Sequence, residues 1–278
     1  MKITNHLTTM IRASGLSCSL AALLAGFALI STAGGQSCVS PPAGLVGWWP
    51  GDGHFLDLAG TNNGTPLGDV TFAPGEVGPG FHFGGGNSAV FIPASPATDV
   101  GAEAGFTVAG WLKPGALSGV VMWFSWATAN EAQYGPFGYL YGDYSAYFSI
   151  IDATPAGNWH IIQTPPNTIT PGVMQQLALT YDKASGEAAI YLNGELFVRQ
   201  NLGSFTVATA GHQIVLGRQP PVYGYPGVID EFTIFKRALA TNEIAQLYAA
   251  GSAGMCKDLK FFSQPQNASP TWALYTTT

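Results

Sequence analysis

The chain has 278 residues, 36 of them Gly and 19 Pro, and only 9% are charged (10 basic, 16 acidic), against roughly 25% in ordinary globular domains. Hydrophobic residues make up 47% and include seven Trp, enough for a core and too many for a disordered chain. The Gly residues have no period of three, which excludes collagen, and ten scattered basic residues without an aromatic-basic cluster give too weak a positive field for nucleic acid.

In chain order, the first feature is the apolar run Ser19 to Ile30, which is 12 residues long where a membrane span needs about twenty. It follows Lys2 and Arg12 and ends at the small-x-small site Ser31-Thr32-Ala33, so residues 1–33 read as a secretory signal peptide. A buried core helix is the alternative. Removing 1–33 leaves 245 residues with 16 acidic and 8 basic side chains, an acidic exported protein. Cys18 leaves with the signal, while Cys38 and Cys256 remain near the two ends of the body. In an oxidising compartment these two would bridge; two unpaired thiols are the other reading. Neither has the apolar run before it that lipoprotein cleavage requires.

From Gly44 onward, short β-type runs alternate with Gly, Pro and Asn. They are Leu45 to Trp49, Phe81 to Phe83, Ala89 to Ile92, Phe106 to Leu112, Val120 to Trp126, Tyr147 to Ile151, Trp159 to Ile162, Leu177 to Tyr181, Ala188 to Leu192, Leu196 to Arg199, Ile214 to Leu216 and Val228 to Phe235. Strands at this spacing predict an all-β jelly-roll sandwich. Asn193-Gly194, between two alternating runs, predicts a tight hairpin because both residues tolerate positive φ. One helix is predicted over Thr241 to Ala250, with Ile244, Leu247 and Tyr248 on one face and Gly251 as its stop. The sandwich domain is therefore assigned to residues 38–256. The tail 257–278 is too short to fold alone, and either drapes on the sandwich or opens a further module.

At Gly44-Leu-Val-Gly-Trp-Trp-Pro-Gly-Asp52-Gly53, and at Asp57-Leu-Ala-Gly60-Thr-Asn62-Asn63-Gly64-Thr65, the chain resembles the laminin G-like family of the concanavalin A-like lectin/glucanase superfamily. Phe106-Thr-Val-Ala-Gly-Trp111, Leu177-Ala-Leu-Thr-Tyr181-Asp, Ala189-Ile-Tyr-Leu-Asn193-Gly194 and Val228-Ile-Asp230-Glu231-Phe extend the resemblance over Gly44 to Gly254. It implies two curved antiparallel sheets, with the first and last strands side by side. It also implies a structural Ca²⁺ between the N-terminal Asp-Gly loop and the last strand, held by Asp52, Asn62 and Asp230. Such an ion needs six to eight oxygens; the alternative is that these residues only cap turns and end a strand. Where relatives carry a helix-capping Ser this chain has Ala240, so Thr241 or Asn242 is expected to cap instead, shifting the start. Phe262-Ser-Gln-Pro265-Gln-Asn resembles the first strand of an immunoglobulin-like module of large secreted bacterial proteins, and with it the resemblance implies a bacterial secreted or cell-surface protein.

Glucanases of the superfamily need paired carboxylates, and no Glu-x-Asp-x-x-Glu strand motif occurs. Asp230 and Glu231 are expected on opposite faces of a strand. His54, His82, His160 and His212 are isolated, without zinc spacing. A glycoside hydrolase or polysaccharide lyase is therefore the weaker reading, and no catalytic residue is assigned. A carbohydrate-binding module is the stronger one, because sugar rings stack on aromatic faces while their hydroxyls take polar partners. The candidate platform is Trp126, Tyr134, Tyr139, Tyr141 and Tyr223, with Asp143, Asn130 or Gln133 supplying hydrogen bonds. Neighbouring Phe137, Tyr144, Tyr147 and Tyr225 share these Gly-rich segments, and alternate aromatics of this set must also fill the core. Partners are then a glycan, or a cell-surface protein if the domain is an adhesive spacer. Trp48, Trp49 and Trp111 are expected in the core.

Overall fold

The computed structural model describes residues 37–219 and 223–257. The segment 1–33 read as a signal peptide and most of the tail lie outside these residues, as does the immunoglobulin-like resemblance at 262–267. The described residues form fifteen strands: β1 (Leu45–Trp49), β2 (Thr65–Leu67), β3 (Val70–Pro74), β4 (Pro79–Gly84), β5 (Ala89–Ile92), β6 (Gly105–Pro114), β7 (Val121–Ala127), β8 (Tyr134–Leu140), β9 (Ala146–Ile151), β10 (Trp159–Gln163), β11 (Gln175–Asp182), β12 (Glu187–Leu192), β13 (Glu195–Asn201), β14 (Gln213–Leu216) and β15 (Pro226–Phe235). One helix, α1 (Thr241–Ala249), follows. The strands form two antiparallel sheets, β13-β12-β11-β6-β15-β4-β3 with β1 also on β15, and β10-β9-β8-β7-β14-β5-β2. The predicted sandwich is therefore the fold.

Three strands escape the sequence pattern. β2 and β3 are short and carry Pro66 and Pro74, and β8 has Gly135, Pro136 and Gly138 inside it, residues that normally interrupt a strand. Gly138 is needed there, because a Cβ would lie 2.4 Å from the Trp123 indole nitrogen. The Asn193-Gly194 hairpin joins β12 to β13, with φ of 51° and 78°.

Between the sheets the core is aromatic, with Trp49, Phe81, Phe83, Phe106, Trp123, Phe124, Phe148 and Phe232 fully buried. A second cluster covers the other face of the larger sheet. There Trp48, Ala109, Tyr191 and Phe235 pack against Ile244 and Leu247 of α1, and against Met255. Trp111 is buried on this side too, its ring 5.5 Å from that of Tyr248. The helix starts at Thr241, and neither Thr241 nor Asn242 caps it. Ala240 is the N-cap, and its N–H donates to the Glu243 carboxylate (2.9 Å), which Arg237 holds from below at 2.6 and 2.8 Å.

The two ends of the sandwich domain meet, as the family resemblance implied. β1 pairs with β15, Val39 bridges Met255 in parallel, and Cys38 is disulfide-bonded to Cys256 across 218 residues.

Candidate functional site

Alternation along β8 and β9 sends Leu140, Phe148 and Ile150 into the inter-sheet core. It turns Phe137, Tyr139, Tyr147 and Ile151 onto the opposite, outer face of the smaller sheet. Strand register then builds rows across that face. One runs Met122, Tyr139, Tyr147, Gln163, and the next Ser125, Phe137, Ser149, Ile161. Tyr147 stacks on Tyr139 with ring centroids 5.9 Å apart, Tyr141 meets Tyr147 at 5.4 Å, and Tyr223 approaches Tyr139 at 5.7 Å. On the edge strand β10, Trp159 meets Phe137 edge-on at 5.4 Å and is itself 56% exposed. Phe137 and Tyr139 are nearly covered, so the solvent-facing rim consists of Trp159, Ile161, Tyr134, Tyr141 and Tyr223.

The phenol of Tyr139 donates to the Gln219 side-chain oxygen. Burial, and then the neighbouring phenols of Tyr223, Tyr134, Tyr141 and Tyr147, push its ionisation well above the ordinary tyrosine value. Burial likewise raises Tyr134, Tyr141 and Tyr147. All four stay neutral hydroxyls at working pH. The hydroxyls of Ser125 and Ser149, either side of Phe137 in the row, are buried with no hydrogen-bond partner among the described residues. Beyond Tyr223 the face continues into a cavity of about 310 Å³ lined by Leu117, Ser118, Val121, Tyr223 and Gly224. Charges at the rim are spoken for. Arg218 pairs with Glu131 at 2.6 Å and lies over the Phe91 ring. Asp143 accepts from the Ser145 hydroxyl and N–H, and these bonds hold its carboxyl below the usual range.

Tyr134, Tyr139, Tyr141 and Tyr223 are thus brought together on this face. Trp126 is not among them: it is fully buried between the sheets, its indole N–H bonded to the Thr98 carbonyl at 3.1 Å, because its strand position faces inward. Tyr225 is likewise core, packed on Phe83. Asp143 stands on the exposed rim, and Asn130 is spent on its own turn through Thr128 and Ala132. Sequence reasoning missed Trp159 and Gln219. For Trp159 the signal was there, since it starts an alternating run ending in the buried Ile162.

Trp159 is set by the turn before it. The Asp152 carboxylate accepts from Thr154 N and Oγ1, from Asn158 N and Nδ2, and lies 3.3 Å from His160 Nε2. Burial alone would raise this carboxyl, but the donors outweigh it and hold it well below the usual range. His160 in turn stacks on Phe205 with centroids 3.7 Å apart.

Of the expected calcium ligands, Asp52 and Asp230 come to the junction of the first loop and the last strand, where Lys257 feels both, whereas Asn62 is turned away from it. Asp230 and Glu231 do not alternate. A bulge in β15 puts Glu231 at φ 53°, and Phe232 regains the core position, so both carboxylates share the outer side of the larger sheet. Asp230 Oδ2 accepts from the N–H groups of Glu76 and Val77 at 2.8 and 2.9 Å, and a Cβ on Gly75 would collide with it. Its Oδ1 is buried without a partner, and burial, then the Glu231 charge, push its pKa up to about 8. Glu231 accepts from the Trp48 indole N–H at 2.6 Å. Asp52 Oδ2 lies 2.5 Å from Lys257 Nζ, which is also 3.0 Å from Glu231 Oε1. Asn62 has turned away, its amide donating to the Pro93 carbonyl and Ser95 Oγ. Among the described residues no group of three or more His, Cys, Asp or Glu side chains could hold a metal. The cavity beside Glu231, about 30 Å³, has room for about one or two waters. With Lys257 Nζ between Asp52 and Glu231 and Asn62 turned away, the described residues as arranged here do not fit calcium.

No curated protein matches the chain significantly. Solved structures do. The binding domain of Paraclostridial mosquitocidal protein 1 superposes with a TM-score of 0.62 at 16% identity over 74% of this chain and 52% of that one. The receptor-binding domain of botulinum neurotoxin type G gives 0.57 at 17% over 74% and 51%, and the ligand-binding domain of serotype D, in complex with N-acetylneuraminic acid, 0.59 at 14% over 74% and 50%. The chain thus spans about half the length of each, and at these identities the likeness concerns the fold. A laminin G family model matches residues 84–245, well over half of the chain, and with the two-sheet sandwich it places the protein in the concanavalin A-like lectin/glucanases superfamily.

Proposed function

We propose that the protein is an extracellular, non-catalytic carbohydrate-binding module that takes a neutral glycan across the outer face of its smaller sheet. The observation that carries this reading is the convergence of Tyr134, Tyr139, Tyr141, Tyr147 and Tyr223 on one face, beside the half-exposed Trp159. Aromatic rings supply stacking surface at little entropic cost, and phenols and the Gln219 amide supply donors and acceptors without charge. Neutrality follows from the rim, where Arg218 is already committed to Glu131 and Asp143 to Ser145. Serotype D is solved with an anionic sugar; this face offers such a ligand no uncommitted cation among the rim residues named. The Cys38–Cys256 bridge supports an oxidising compartment, and no helix among the described residues is long and apolar enough to cross a membrane. Among the described residues, the rim carboxylates Asp143 and Glu131 are bonded to Ser145 and Arg218 rather than to a second acid of the kind glycoside hydrolysis uses.

Retention on a neutral polysaccharide column, followed by calorimetry, tests the reading. Binding at micromolar to millimolar Kd, with no reducing ends released, is expected. Failure to retain any neutral or charged glycan at millimolar concentration would leave the adhesive spacer in its place.

A further inference from the structure

Lys257 reaches the junction of the first loop and the last strand from the other end of the domain. Its ammonium lies 2.5 Å from Asp52 Oδ2, 3.0 Å from Glu231 Oε1 and 5.9 Å from the centre of the Trp48 ring. The two acids come from segments far apart in sequence, and the bulge at Glu231 turns the second of them outward to meet the first. Asp230, held by the turn at Gly75 to Gly78, lies behind Glu231, and His54 completes the groups that feel this charge.

We propose that the Lys257 ammonium is the domain's own cation at this junction, standing where the family resemblance calls for calcium, so that the sandwich closes without a divalent metal. Three features carry it. Lys257 directly follows Cys256, whose bond to Cys38 and whose N–H to the Val39 carbonyl fix the backbone before the side chain reaches out. A cation delivered on such a tether has a high effective concentration at the site and loses little freedom on arrival. Glu231 sits in a left-handed conformation that is unfavourable for a non-glycine residue, and its two oxygens go to Lys257 and Trp48. Finally, calcium would have to displace an ammonium that is only 25% exposed, with Asn62 turned away and Asp230 left with Oδ1 alone, since its Oδ2 is taken by two N–H groups.

The test is thermal unfolding of the full protein in excess EDTA and in millimolar Ca²⁺, on wild type, Lys257→Met, Lys257→Arg and the Asp52→Asn/Lys257→Met pair. Wild-type midpoints should agree within about a degree in the two buffers. Lys257→Met should melt roughly 4–8 °C lower, because Asp52 and Glu231 lose their counter-charge, with Lys257→Arg in between and the double variant less than additive. A calcium-induced rise of several degrees in wild type, or a Lys257→Met protein that melts like wild type, overturns the proposal. Should Lys257→Met not fold, calorimetric titration of wild type with calcium decides: no binding heat is expected, and a micromolar site contradicts the assignment.

Discussion

At the scale of single residues, the aromatic face separates groups that hold the sheet from groups free to meet a ligand. Trp159 and Tyr141 belong to the second kind. Trp159→Ala should weaken glycan binding about tenfold, a loss near 1.4 kcal/mol, without changing the melting midpoint by more than a degree or two. Trp126→Ala should do the reverse, lowering stability by roughly 3–5 kcal/mol through a core cavity, and calorimetric and thermal scans on both variants separate the roles. Asp152 acts through the turn it organises. Because its native carboxyl is held below the unfolded value of 3.8, its contribution is full above that value and is lost as pH falls through the native one. Asp152→Asn should accordingly lower the midpoint at neutral pH, flatten the acid limb of the stability curve below about pH 4, and loosen Trp159 enough to weaken binding. An unchanged acid limb would contradict that assignment.

At the scale of elements, what the sequence made legible follows residue chemistry closely. Strands built from β-branched and aromatic runs, such as Leu45–Trp49 and Ala89–Ile92, have the bounds that the pattern predicts. β8 was hidden because Gly135, Pro136 and Gly138 argue locally against a strand, while tertiary packing requires them: Gly138 makes room for Trp123. Gly138→Ala should therefore cost about 1–3 kcal/mol by overpacking, seen as a midpoint several degrees lower, with β8 as the first region to exchange amide protons. The bulge in β15 was equally invisible. Strict alternation separates Asp230 from Glu231, and only the register against β6 shows the extra residue that reunites them. The helix start was readable from Thr241, but its cap was not, because Glu243 and Arg237 supply from the side what a Ser at 240 would have supplied directly.

At the scale of the whole molecule, two devices tie the ends of the sandwich domain together beside the β1–β15 pair: a covalent bridge and, next to it in sequence, the charge cluster around Lys257. Closing a loop of 218 residues should stabilise by roughly 5 kcal/mol in the chain-entropy account, so Cys38→Ser or reduction should lower the midpoint by about 10 °C or more. The pairing of the cysteines was legible from their number and positions. The cation was not, because Lys257 opens the segment that reads as a tail. The aromatic face was legible as a composition, a crowd of Tyr between Trp123 and Trp159, but only the two-sheet register decides which of them look outward. The most direct measurement is titration of wild type, Trp159→Ala and Tyr141→Ala with a neutral polysaccharide the wild type retains. Saturable wild-type binding is expected, falling about tenfold or more in both variants at unchanged stability, and equally in EDTA. Binding that survives both substitutions would place the ligand elsewhere and contradict the outer face of the smaller sheet as the site.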